Sequence, residues 1–165
     1  MNESTIKAIQ QILFPNNPEE WDGKWGPKSQ AALDAIIQGA STGEWHNTTA
    51  TSFADPEDLR RFNQCKTTGK TDEQCFAVGD NCIGIWKDPT GEGTGPCCAL
   101  PIWAWHDFYG AAHRKKVIVQ VNGKEAIVEL KDSSGHRDVI DLNPDACELL
   151  QLRIPVKEPA RWKWA

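Results

Sequence analysis

Tyrosine and methionine occur once each in this chain of 165 residues, and no cysteine precedes Cys65. The longest apolar run, Cys97 to Trp105, is about half a bilayer span and is broken by Pro101, which excludes a transmembrane helix. Basic charge is also short. Eighteen Lys and Arg against twenty-three Asp and Glu leave a net charge of −5, the wrong balance for neutralising phosphates, so a nucleic-acid partner is not expected. The two basic clusters, His113-Arg114-Lys115-Lys116 and the stretch from Arg153 to Lys163, read as solvated faces. No C-x-x-C pair is present, and His106 and His113 stand without acidic partners at ligand spacing, so neither a metal nor a cofactor is expected. Met1-Asn2-Glu3-Ser4 has neither the basic start nor the apolar stretch of an export signal, which implies a trimmed chain or another route out of the cell, such as phage-induced lysis or a contractile device.

The length allows one generous domain or two small ones, and 39% apolar with 25% charged residues is the composition of a globular chain. Eight of the fourteen aromatics are Trp, a bias that suits sugar stacking and core packing equally. Six cysteines confined to residues 65–147 read as a disulfide framework and an oxidising compartment. Of the fifteen possible connectivities, the preferred set is Cys65 with Cys75, Cys82 with Cys97, and Cys98 with Cys147.

Ile6, Ile9 and Leu13 recur at helical spacing after Ser4 as cap, and Gly26-Pro27 opens a second helix carrying Ala32, Leu33, Ile36 and Ile37. The stretch from Gln38 to Phe53, rich in Gly, Ser, Thr and Asn, reads as a linker. Asp55-Pro56 caps a short helix, and Thr71 with Gln74 forms a capping box. The period then becomes two: Val117, Val119 and Val121, an Asn122-Gly123 turn, and a return from Ala126 to Leu130 predict a hairpin. Val139 to Leu142 is a further strand, and Asn143-Pro144 caps a helix that turns Cys147 and Leu150 inward. Short strands whose edges must be satisfied point to a closed barrel.

The helical part resembles the three-helix peptidoglycan-binding domain, through Ile6 to Leu13, the Asp22-Gly23-Lys24-Trp25-Gly26-Pro27 core and the Ala-rich helix after it. The second part is similar to the double-psi β-barrels of rare lipoprotein A, barwin-like proteins, expansins and barwin-like endoglucanases. That likeness rests on Val117 to Lys124, Val128 to Gly135 and Val139 to Ala146. The resemblances imply an α+β chain: a helical bundle at 1–40, a linker at 41–54 and a six-stranded double-psi barrel with short helices and disulfides at 55–165. They imply a monomeric peptidoglycan-binding protein of the periplasm or cell exterior, with no membrane or nucleic-acid partner.

Barrels of this kind that cut glycans use carboxylates, one of which protonates the departing oxygen. By position, Asp141 matches the acid of the endoglucanase and transglycosylase relatives, Asp132 ends the preceding strand, and Asp80 falls near the first barrel strand. Glu129 and His136 stand beside the same loop. Trp25, Trp86, Trp103, Trp105 and Tyr109 are the candidate sugar-contacting aromatics. The expected activity is murein strand cleavage, as a lytic transglycosylase or muramidase. The rivals are a polysaccharide binder that loosens walls without cutting, a phage lysin or antibacterial effector with the same chemistry, and a thiol peptidase pairing Cys97 or Cys98 with His113 or His136.

Overall fold

The computed structural model describes residues 2–14, 17–39 and 43–165, without the side chains of 34–39. The side chains of Ile36 and Ile37, expected on the second helix, lie outside the described residues. The helices are α1 (Glu3–Leu13), α2 (Pro27–Gly39), α3 (Pro56–Lys66), α4 (Asp72–Cys75), α5 (Tyr109–Ala112) and α6 (Pro144–Leu149). The strands are β1 (His46–Ser52), β2 (Cys97–Pro101), β3 (Lys116–Val121), β4 (Lys124–Ser134), β5 (Val139–Leu142) and β6 (Lys157–Trp164). They close a barrel of six strands, as the resemblance implies, in the order β1-β5-β2-β4-β3-β6. β1 with β5 and β2 with β4 run parallel, and the other pairs are antiparallel.

The local chemistry behaves as its residue types require. Asp55, Thr71 and Asn143 cap α3, α4 and α6, and the Thr71–Gln74 capping box is complete. Asn122 and Gly123 both take positive φ in the hairpin turn. The α1 cap is Asn2, whose carboxamide accepts from the Thr5 N–H, because Ser4 already lies inside the helix.

Alternation sorts every strand into an inward and an outward face. Val117, Val119 and Val121 on β3 and Ala126, Val128 and Leu130 on β4 fill the interior with Ala50, Cys98, Leu100, Ile140, Leu142 and Trp162. Ile118 and Ile127, paired across the hairpin, point the other way and are just as buried. Their cover is the helical part: they share a cluster with Ile9, Ile12, Leu13 and Leu33. The helical part consists of α1, one 3-10 turn at Pro18–Glu20 and α2. Polar contacts add to the docking. Glu148 accepts from the Asn2 N–H and the Thr5 hydroxyl, and Lys116 Nζ donates to the Ile12 carbonyl at 2.5 Å. Within the helical part, buried Gln10 accepts from the Gly23 N–H at 2.8 Å and donates to Asp22 at 2.7 Å, which locks the Asp-Gly turn.

Three expectations are corrected. The stretch read as linker contains β1, which pairs with both β5 and β6. The basic stretch from Arg153 to Lys163 contributes β6, where Arg161 and Lys163 lie against the Trp45 ring. Only Cys65–Cys75 is a disulfide, joining α3 to α4, while Cys82, Cys97, Cys98 and Cys147 are free. In place of the expected bridges, the Cys82, Cys97 and Cys147 thiols lie against the carbonyls of Ala54, Thr90 and Leu142, and Cys98 is packed in the barrel core.

Two measurements test this architecture. Ile118→Ala should lower stability by about 2–5 kcal/mol, with helix circular dichroism and Trp fluorescence melting together in urea. A barrel that keeps its stability after this change would contradict the shared core. Unfolded, unreduced protein should titrate with four thiols; none would restore the three-bridge framework.

Candidate functional site

On β5 the alternation that buries Ile140 and Leu142 turns Asp141 outward. On β4 the same rule, carried past Leu130, would drive Asp132 into the apolar interior. It does not, because the register shifts between Cys98 and Ala99: Leu130 faces Cys98, Lys131 is the extra residue, and Asp132 faces Ala99. This bulge reverses the parity of the strand. Asp132, Ala99, Asp141 and Thr51 therefore form one row across β4, β2, β5 and β1 on the outer wall. Two strand spacings put the Asp132 and Asp141 backbones roughly 10 Å apart. The Ala99 methyl between them leaves the floor open, and the Thr51 hydroxyl donates to Asp141 Oδ1.

The segment from Phe53 to Pro96 builds the opposite wall. Gly79 lies so close to α3 that a Cβ would sit 2.3 Å from the Asp58 carbonyl, and this approach brings in Asp80. Gly84 meets the bulge itself, where a Cβ would be 2.1 Å from the Lys131 carbonyl oxygen. From there Ile85 N–H donates to Asp132 Oδ1 at 3.0 Å. Cys82 and Lys87 hold positive φ in this loop, a strained backbone for residues with side chains. The resulting cleft, about 600 Å³, is lined by Asp80, Asp132 and Asp141 together with Phe53, Phe76 and Ile85.

Burial pushes Asp132 from the ordinary 3.8 up to about 6, and the neighbouring Asp80 and Asp141 charges add to the rise against the bonds from Ser133 and Ile85. Asp80 is also raised, first by burial and then by Asp58 and Asp141, while the Cys82 N–H works against the rise. The internal bonds have one feature in common. Ile85 and Ser133 N–H both reach Oδ1 of Asp132, Cys82 N–H reaches Oδ1 of Asp80, and Thr51 reaches Oδ1 of Asp141. The second oxygen of each carboxyl has no hydrogen-bond partner among the described residues. A protonated Asp132 can thus keep both backbone bonds on one oxygen and carry its proton on the other.

The other candidates lie elsewhere. Glu129 precedes the bulge and lines a different cleft, against α1. His136 is exposed beyond the loop. Trp105 is 1% exposed and donates to the Leu100 carbonyl, so it is core and not a sugar contact. Trp25 is half-buried against the helical cluster. Trp86 stacks on His113 and tilts against Trp105 and Tyr109, and Trp103 and Tyr109 remain exposed. His113 and Arg114 do have an acidic partner, Asp88, because the cover loop brings it from 25 residues away. His106 is paired with its neighbour Asp107. Burial raises the Cys97, Cys98 and Cys147 thiols far above neutrality, which leaves them protonated and unfit as nucleophiles. Among the described residues, no group of three or more His, Cys, Asp or Glu could hold a metal ion. Sequence reasoning passed over Thr51, Ala99, Gly84 and Ile85, whose importance lies in strand register and loop approach.

No family model matches this chain, and no curated protein matches it. Among solved structures, it is similar to a mutant expansin of Clavibacter michiganensis in complex with cellohexaose, at 12% identity and a TM-score of 0.46, over 74% of this chain and 50% of that one. It is also similar to a Streptomyces papain inhibitor, at 17% identity and a TM-score of 0.46, over 74% of this chain and 94% of that one. The chain thus spans about half the length of the expansin.

The position of Asp132 has a stability consequence of definite sign. Its folded pKa lies above its unfolded one, so its contribution is complete below the unfolded value near 3.8 and is lost as pH rises through about 6. The loss approaches about 3 kcal/mol. Asp132→Asn retains the Oδ1 acceptor without the charge. In urea unfolding it should be more stable than the parent at about pH 7.5, by up to that amount, with the advantage vanishing below pH 4. A variant less stable at the higher pH would show that the buried charge is compensated.

Proposed function

We propose that this chain binds polysaccharide of the cell wall in the acidic cleft and cleaves the bound strand by general acid catalysis from Asp132. The observation that carries the reading is a carboxyl raised to about 6 by burial, with one oxygen unbonded, on the same cleft as Asp141 and Asp80. Near pH 6 such a group is partly protonated and able to donate. In the proposed reaction the free Asp132 O–H protonates the glycosidic oxygen as its bond to the anomeric carbon breaks. Asp141, across Ala99, supplies negative charge to the oxocarbenium-like centre. The Asp132 carboxylate then takes a proton from the attacking hydroxyl. If that hydroxyl belongs to the sugar, the product is an anhydro ring; if it is water, the product is a reducing end. The family resemblance gives proton donation to Asp141; the burial that raises Asp132 favours the reverse assignment.

The substrate class is murein glycan. It rests on the resemblance of the helical part to peptidoglycan-binding domains, with the Gln10-locked Asp22-Gly23 turn at its centre. A second reading keeps the ligand and removes the chemistry. Each of the three carboxylates already accepts an internal bond, which favours a row that grips and loosens polysaccharide without cutting it.

Purified protein incubated with isolated sacculi, followed by mass analysis of the soluble fraction, separates these readings. Anhydromuropeptides are the expected product of transglycosylation, and reducing-end sugars that of hydrolysis. Release should fall as pH rises through about 6, and Asp132→Asn and Asp141→Asn should each reduce it at least about 100-fold with pull-down on sacculi unchanged. Bound protein without released fragments establishes the gripping reading, and protein that neither binds nor releases overturns both.

A further inference from the structure

A second cleft, about 510 Å³, opens between α1 and the barrel wall. Gln11, Ile12 and Trp21 line one side, and Arg114, Glu129 and Lys131 the other. Lys131 is the bulge residue and is 5% exposed. Its ammonium donates to the Thr94 carbonyl at 3.0 Å, and among the described residues no carboxylate lies within ion-pair distance. An ammonium has three donors, so two are unspent in a setting where unpaired charge is costly.

Glu129 stands two positions earlier on the same strand, and among the described residues no group donates to its carboxylate. Arg114 is not its partner, because the guanidinium forks onto Asp88 at 2.9 and 3.0 Å. One wall of the cleft thus holds an ammonium with unspent donors and a carboxylate that accepts no hydrogen bond, with Arg114 and the cross-strand Lys116 acting on that carboxylate only through their charge. Two strand positions separate their backbones by roughly 7 Å, close to the span between the two ends of a dipeptide.

We infer that this cleft binds a short peptide with free termini, its carboxylate on Lys131, its ammonium on Glu129 and its side chains against Trp21 and Ile12. A simple anion would satisfy Lys131 and leave Glu129 repelling it; a zwitterion satisfies both. The inference stands apart from the glycan reading, since it concerns a different cleft and a ligand without sugar.

The test is a titration of the full chain with alanylalanine, followed by amide NMR and Trp fluorescence. Saturable shifts are expected at Glu129, Lys131 and the Trp21 indole. N-acetyl-alanylalanine and alanylalanine amide, each lacking one charge, should bind at least about tenfold more weakly. Glu129→Gln should erase the preference for the free amine over the acetylated peptide. Gln11→Trp, a change at an exposed position that fills the cleft, should abolish binding of all three peptides. Absence of saturable shifts, or equal affinity for the three peptides, would overturn the assignment.

Discussion

One extra residue in β4 decides where the charges of this barrel go. In a regular strand without the bulge at Lys131, Asp132 would follow Val128 and Leu130 into an interior of aliphatic side chains, Trp162 and two cysteines. Carboxylate burial there would cost far more than the whole domain is worth in stability. The bulge turns Asp132 to the outer wall, where it is half-covered and accepts two backbone bonds. Desolvation is then large enough to raise its pKa and small enough for the fold to carry. Gly84 is tied to the same point, since any side chain there would strike the Lys131 carbonyl and push away the loop that covers Asp132. Bulge, glycine and acid form one device.

The hairpin serves two cores with one alternation. Its valines fill the barrel, and Ile118 and Ile127 receive α1 and Leu33. Each isoleucine contributes about 1.5–3 kcal/mol if covered and becomes an exposed apolar liability if not. This coupling makes the helical part a wall of the barrel, and it changes what an anchor would do: a substrate held by the helices would sit at a set distance from the acid row, not on a flexible tether.

Legibility in the sequence followed the strength of local signals. The β3–β4 hairpin, the Asp55, Thr71 and Asn143 caps and the Pro27 helix start are short-range devices, and each is visible in a few adjacent residues. β1 is His-Asn-Thr-Thr-Ala-Thr-Ser, with Ala50 as its one buried apolar residue, so it has the composition of a linker. Its strand state comes from its neighbours β5 and β6. β6 hides behind its cations and Pro159 for the same reason, and β2 is buried throughout, which removes the alternation that would reveal it. Asp132 and Asp141 were legible as candidates from their place in the family pattern. What was not legible was the bulge, and with it the separation of Glu129 from Asp132, because register depends on the partner strand.

The bulge also bears on whether internal bonds disqualify the carboxylates from chemistry. A carboxylate that spends both oxygens on the fold is a structural group, whatever cleft it borders. Here the backbone takes only Oδ1 of Asp132, and the same is true of Asp80. Two N–H donors on one oxygen stabilise the anion, yet burial outweighs them. They also orient the acid, since they favour the tautomer whose proton sits on the opposite oxygen. The contacts that would hold a passive residue in place are therefore those that would aim a proton donor. The adjacent Lys131 spends its charge in the other cleft, so the cation nearest in sequence does not pull the Asp132 pKa back down. Consecutive residues facing opposite clefts keep the acid protonatable near neutrality, which a regular strand with the same composition could not do.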